Sequence, residues 1–169
     1  MTKHLSGWLY SALMAVLLLA ATSCNKGQVI YEQNKDIVQQ GWYIDSVATF
    51  TFDIQDTAAR YDISYNIRNQ LVYPYYNLYV TFYLHDPQGK LIASSLHEMT
   101  LADPATGKPF GDGFGDVRDH QFLSLPHCHF KQAGRYTFKI KQYMRQNPLQ
   151  GIEAIGLKVA VAEPTASKN

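Results

Sequence analysis

The side chains best suited to bond-making chemistry stand together at His127-Cys128-His129. Imidazole nitrogen and thiolate are zinc ligands, and a structural zinc site takes four of them. In an extended chain neighbouring residues point to opposite faces, so His127 and His129 share a face and Cys128 points away. Two histidines do not complete a site, and His85, His97 or His120 would have to be brought in by the fold. The plainer reading is three ordinary strand residues, and no metal is assigned. A second candidate is Gly111-Asp112-Gly113-Phe114-Gly115-Asp116 with Asp119, in the longest unpatterned stretch, Asp103 to Asp119. Its carboxylates are calcium-type ligands, but they lack the dense acidic spacing of a calcium loop. Glycines that permit positive φ make it read instead as a tight corner with Phe114 tucked inward. For catalysis there is no Gly-x-Ser-x-Gly, no phosphate-cradling P-loop and no His-Glu-x-x-His. Glu98 and several aspartates offer carboxylates that nothing in the sequence pairs. No catalytic residue and no cofactor is expected.

Cys24 carries a different chemistry. Lys3 and His4 open the chain, Leu5 to Ala21 is mostly apolar, and Ala21-Thr22-Ser23 leads into Cys24. A basic start, an apolar run and small residues before a cut site make a secretory signal. The densest apolar stretch falls short of the roughly 20 residues a spanning helix needs. Small residues directly before a cysteine resemble a bacterial lipobox, with Ala21 in place of the commoner leucine. That resemblance implies cleavage before Cys24 and acylation of its thiol and new amino terminus. Several acyl chains anchor stably where one binds only marginally. Cleavage removes Lys3, one of 15 basic residues, and no acidic one, so the net charge of +1 becomes zero. Cys128 is left as the sole free thiol. The residues after Cys24, Asn25-Lys26-Gly27-Gln28, carry no acidic cluster of the kind that resembles a surface-export signal, which points to a periplasm-facing protein.

The elements that must position these residues are strands. Charged residues are 17% of the chain and aromatics 13%, led by 12 Tyr and 8 Phe. That composition excludes a disordered, charge-rich chain. The balanced charge excludes nucleic-acid binding driven by phosphate neutralisation. Period-two alternation recurs at Val47–Ile54, Tyr61–Arg68, Leu78–His85, Tyr136–Lys141 and Ile155–Ala162, and more weakly at Lys90–Ser95 and Gln121–Leu125. Turn signals separate these runs, among them Asp86-Pro87-Gln88-Gly89 and Ala133-Gly134. No long stretch has helical periodicity. The expected architecture is all-β: one antiparallel β-sandwich, jelly-roll or Ig-like, behind the signal peptide. The expected divisions are signal peptide 1–23, lipid anchor and tether 24–40, sandwich 41–162 and frayed tail 163–169. Val29 to about Gln40 reads as tether, or as an early strand. Seven tyrosines fall between Tyr61 and Tyr83, with Tyr79 and Tyr83 on the face opposite Leu78, Val80 and Phe82. Tyrosine with its polar tip suits sugar stacking and protein interfaces; it also simply fits strand surfaces.

The ordered motifs resemble the GldH-type gliding-motility lipoprotein family. After the lipobox they are Phe50-Thr51-Phe52-Asp53-Ile54 with Asp56-Thr57, Arg68-Asn69, Tyr73-Pro74-Tyr75 and Asn77-Leu78-Tyr79. Then come Leu101-Ala102-Asp103, the Gly111-x-Gly113-x-Gly115-Asp116 corner, Gly134-x-Tyr136-x-Phe138, Gln142-x-Met144-Arg145 and Leu149-x-Gly151-Ile152. Pro109-Phe110 stands before the corner where the family pattern suggests a tryptophan. The resemblance implies an outer-membrane lipoprotein of the gliding and linked secretion machinery, with no enzymatic activity or cofactor. Arg68 and Arg145 lie near strand ends and are the charged positions to watch. The expected function is non-enzymatic, through envelope protein partners, with the membrane engaged by acylated Cys24. The expected interaction surface is Tyr75, Tyr76, Tyr79, Tyr83, Arg68 and Arg145. The alternative is an envelope carbohydrate-binding module using the same tyrosines.

Overall fold

The computed structural model describes residues 27–37 and 40–163. The expected signal peptide, Cys24 and residues 164–169 of the expected tail lie outside the described residues. Eight strands follow in order: β1 (Val29–Asp36), β2 (Ala48–Ile54), β3 (Tyr61–Gln70), β4 (Asn77–His85), β5 (Leu91–Thr100), β6 (Val117–Cys128), β7 (Gly134–Gln142) and β8 (Ile152–Val161). They form two four-stranded sheets, ordered β1-β8-β3-β6 and β2-β7-β4-β5, with every pairing antiparallel. This strand order is the eight-stranded jelly roll, not the Ig arrangement. The stretch read as anchor and tether thus contains an edge strand, β1, and the weak β5 and β6 run to ten and twelve residues.

The core is the sum of the inward faces. Phe50, Phe52 and Ile54 of β2, Ile63, Tyr65 and Ile67 of β3, Leu78, Val80 and Phe82 of β4, Phe138 and Ile140 of β7, and Ile155, Leu157 and Val159 of β8 are all buried. Alternation put them there, because the period of a strand is two. Aromatic pairs knit the layers: Tyr65 of β3 meets Phe138 of β7 edge-on at 6.1 Å, and Tyr31 of β1 lies 6.0 Å from Phe52 of β2. The outer face of the first sheet is polar. Asn66 Nδ2 donates to Glu32 Oε1 at 2.9 Å, and Gln121 Nε2 donates to Asn66 Oδ1 at 3.0 Å. This amide row crosses β8 at Gly156, where a Cβ would run into Asn34 Oδ1 and touch Asn66 Cβ at 3.0 Å. Gly156→Ala should therefore displace the Asn34 side chain and cost about 1–3 kcal/mol, the usual range for overpacking. Thermal denaturation of the variant checks this; an unchanged midpoint would show that the row yields freely.

The topology sorts the loops. Val29 of β1 pairs with Ala160, Tyr61 of β3 with Cys128 and Val161, and Ile54 of β2 with Gly134. The Gly27 N–H donates to the Val161 carbonyl at 3.0 Å. One end of the sandwich therefore holds the start of β1 and the turns 55–60, 86–90 and 129–133. The opposite end gathers the four connections 37–47, 71–76, 101–116 and 143–151. Ten-residue strands separate the two ends by about 33 Å.

Candidate functional site

The connection 143–151 is built around Gln142, whose side chain is fully buried at the end of β7. Its amide nitrogen donates to the Gln146 carbonyl at 3.1 Å and to the Trp42 carbonyl at 3.4 Å, while its oxygen accepts the Met144 N–H at 2.7 Å. Tyr143 N–H donates to the Tyr79 carbonyl at 2.8 Å, and Tyr79 N–H reaches Met144 Sδ at 3.3 Å. These bonds hold the loop against the start of β4. Between them opens a groove of about 570 Å³ lined by Tyr75, Tyr76, Asn77, Tyr79, Leu96, Tyr143, Met144 and Arg145. Four of the six surface residues singled out from sequence, Tyr75, Tyr76, Tyr79 and Arg145, meet here. Tyr143, Met144 and Leu96 were not singled out.

Two polar tips in the groove are engaged by neighbouring side chains. Asn77 Nδ2 donates to Glu98 Oε1 at 2.6 Å, and Tyr75 OH donates to Gln146 Oε1 at 3.4 Å. Tyr79 is held protonated above its ordinary range, first by its hydrogen bond to Glu98 and then by burial and by that carboxylate's charge. The rings and hydroxyls of Tyr76 and Tyr143 complete the lining, with Met144 Sδ turned to the Tyr79 N–H.

Tyr83 and Arg68 lie elsewhere. Tyr83 sits on the same outer face as Tyr79 but further along β4, opposite Lys139 and Ser94. Arg68 belongs to the other sheet, where Nε donates to Asp119 Oδ1 at 2.8 Å and NH2 to Oδ2 at 3.2 Å. That hydrogen bond, and then the Asp119 charge, raises the Arg68 pKa. The pair is about half exposed on both sides, so it adds little stability.

The glycine corner is a corner, with one correction. Gly111 takes φ of 78° and Gly115 of 64°, and a Cβ at Gly113 would overlap the Val117 carbonyl. Asp112 and Asp119 exchange backbone bonds at 2.9 and 2.7 Å. Phe114, expected to tuck inward, is instead 99% exposed at the tip. Flanking glycines bend the chain outward there and leave the ring nothing to pack on.

The histidines are dispersed. His127 takes φ of 50°, which breaks regular strand geometry, and its N–H donates to Asp62 Oδ1 at 2.8 Å. Cys128 is half-buried, and burial, with the Asp62 charge behind it, pushes its thiol up to about 11. His97 is hydrogen-bonded to the buried Tyr65 hydroxyl at 3.1 Å, beside a cavity of about 340 Å³ between the edge strands β5 and β6. His120 Nε2 donates to Asn69 Oδ1 at 2.9 Å and stacks on Phe122. Among the described residues, no three His, Cys, Asp or Glu side chains gather as a metal group.

Burial is the largest influence on His97 and His120 and lowers both pKa values. The folded state then binds protons less readily than the unfolded one. Their contribution is fully present above the ordinary value of about 6.5 and is lost as pH falls from there toward the depressed folded values. The thermal midpoint should fall between pH 7.5 and 5, and His120→Gln should flatten that slope. A midpoint independent of pH across this range would contradict the assignment.

Exposed apolar side chains in the loops gather at the groove's end, while the strand starts at the Gly27 end expose Val29, Ile30, Leu91 and Ile92. All four connections at the end away from Gly27 carry large ones: Tyr43 and Val47; Leu71, Val72, Tyr75 and Tyr76; Phe110 and Phe114; Tyr143. The three turns at the Gly27 end carry none among the described residues.

Residues 29–159 match the family model described as GldH lipoprotein. A protein of Christiangramia forsetii named gliding motility lipoprotein GldH homolog is 33% identical over 149 residues, 84% of this chain and 89% of that one. The gliding motility lipoprotein GldH of Flavobacterium johnsoniae is 33% identical over 144 residues, 83% of this chain and 87% of that one. Among solved structures, the VP2 subviral particle of infectious bursal disease virus aligns with 78% of this chain and 30% of its own, at 14% identity and a TM-score of 0.36. The family match spans every strand from β1 into β8, and the two relatives agree with it over most of their length: this chain belongs to the GldH lipoprotein family.

Proposed function

We propose that this protein is a lipid-anchored component of the cell envelope that serves a gliding-motility or linked secretion machine without catalysis. It is held at the outer membrane by acylated Cys24, faces the periplasm, and works by offering its tether-distal end to protein partners. The observation that carries this reading is the polarity of the molecule. The first described residue, Gly27, lies three positions after Cys24 at one end, and exposed apolar side chains crowd the loops at the other. Exposed apolar clusters of this kind mark contact surfaces, and tyrosine, methionine and arginine are enriched in protein interfaces.

The test is an affinity pull-down from envelope membranes with the anchor intact, comparing the native chain with a Phe114→Ser/Tyr76→Ala double variant. Envelope proteins of motility or secretion should be recovered with the native chain and lost with the variant. Recovery of no envelope partner by the native chain would overturn the reading.

A further inference from the structure

The groove continues into a charged face, and the two together define a kind of partner. On the outer side of the second sheet, strand register places Lys141 opposite Thr81 and Lys139 opposite Tyr83 and Thr49. Leu96 lies opposite Thr81 on the other side. Lys139 and Lys141 follow one another along this face of β7 and Tyr143 comes just past its end, so the lysines lead directly to the groove. Neither lysine nor Arg145 takes part in an ion pair among the described residues, where the ion pairs are Arg68–Asp119 and Arg135–Asp53. The one carboxylate bordering the groove, Glu98, accepts a hydrogen bond from Asn77 Nδ2. The outer face of the first sheet has the opposite balance, with Glu32, Asp36, Asp62 and Asp119 against Arg68 and Lys158. Lys139, Lys141 and Arg145 thus put three unpaired cations beside the tyrosines, on a face whose carboxylates, Asp53 and Glu98, are engaged by Arg135 and Asn77.

We infer that this face and groove bind an acidic, extended protein segment in which carboxylates alternate with other residues and an apolar side chain enters the groove. Alternate residues of a strand lie about 6.6 Å apart on one face. Lys139 and Lys141 are spaced in this way, and an extended ligand presents its carboxylates at the same interval. Charge complementarity of this sort sets orientation and encounter rate, while the buried aromatic contact supplies the hold. A peptide fits better than an acidic glycan. The groove wall is largely ring and aliphatic surface from Tyr75, Tyr76, Leu96, Tyr143 and Met144, which suits an apolar peptide side chain, and the tips of Tyr75 and Asn77 are spent on Gln146 and Glu98. The inference rests on the contact role proposed above and names the chemistry of the partner.

The experiment uses the full lipidated chain in nanodiscs and three fluorescent probes. These are an alternating Glu-Thr octapeptide ending in Phe, its Lys-Thr counterpart, and an oligogalacturonate. The acidic peptide should bind at least tenfold more tightly than the basic one, and its binding should weaken as salt screens the lysines. Lys139→Glu/Lys141→Glu, two changes on an outer face, should weaken it at least tenfold with an unchanged thermal midpoint, and Tyr76→Ala should weaken it without reversing the charge preference. Equal binding of both peptides, binding of neither, or an acidic-peptide affinity untouched by the double charge reversal would overturn the inference. Oligogalacturonate binding at these residues without peptide binding would also overturn it, in favour of a glycan. Failure here is separable from failure of the contact role, which the envelope pull-down reads on its own: a partner recovered equally by the native and Lys139→Glu/Lys141→Glu chains leaves the contact role standing and removes its acidic character.

Discussion

Gln142→Leu should lower stability by about 2–5 kcal/mol and dismantle the groove at the same time. The substitution nearly conserves volume, so any loss comes from hydrogen bonds rather than from a cavity. The native amide satisfies three backbone groups from two different connections: the carbonyls of Trp42 and Gln146 and the N–H of Met144. Trp42 O keeps a second donor, the Leu149 N–H at 2.9 Å. Gln146 O and Met144 N lose the partners described here, and a buried polar group left unpaired costs about 1–3 kcal/mol. For a chain of this size the thermal midpoint should drop by roughly 5–15 °C. The loop from Tyr143 to Arg145 should also become mobile, since Gln142 pins it from beneath. Hydrogen exchange at Met144 and Tyr143 reads the local effect and calorimetry the global one. Gln142→Glu is the informative companion. It keeps the acceptor for Met144 N–H but loses the donor and buries a charge, so it should be as damaging or worse. A Leu variant of native stability would show that the loop is held by its own packing.

Cys24→Ala should abolish lipid labelling and release the protein from membranes. Each buried methylene of an acyl chain contributes about 0.8 kcal/mol, and stable anchoring needs more than one chain. Loss of the acceptor thiol therefore removes attachment by orders of magnitude, while the sandwich, which begins at Val29, should keep its thermal midpoint. Metabolic labelling with an alkyne fatty acid, followed by fractionation, checks both halves. Continued labelling of the variant would sink the lipobox assignment. A released but folded variant that still supports envelope function would separate the anchor from the contact role.

Five strands were legible from alternation because each has one face in the core and one in solvent. The edges were harder to read. β1 offers little for a period-two pattern: Tyr31 packs toward Phe52 at 6.0 Å, and Lys35 covers the Phe50 ring at 5.5 Å with its ammonium. A lysine lying over a buried ring reads as polar in any sequence pattern. β5 and β6 border the seam between the sheets, where inward residues such as His97 and Ser124 stay partly exposed and blur the signal. The glycine corner was legible as a bend, but glycine spacing does not say which way the bend points a phenylalanine. The tyrosine groove was legible in part. Tyr75, Tyr76 and Tyr79 announce themselves by density, whereas Tyr143 stands alone beyond a strand end and joins them only through the Tyr143–Tyr79 backbone bond. Gln142 continues the inward face of Tyr136, Phe138 and Ile140, but its role in pinning the loop depends on backbone groups of Trp42, Met144 and Gln146 that only the tertiary fold brings to it.

The antiparallel pairing of β1 with β8 has a mechanical meaning. A pull between the tether and the far loops runs along the strands, entering at Gly27 and loading β1 against β8. The seven paired positions from Val29–Ala160 to Asp36–Ala154 then lie in shear. All must slip together, whereas a transverse pull would open them one at a time. Traction along the long axis is borne by the whole ladder at once, and the same domain pulled sideways at Asp36 should peel open at far lower force.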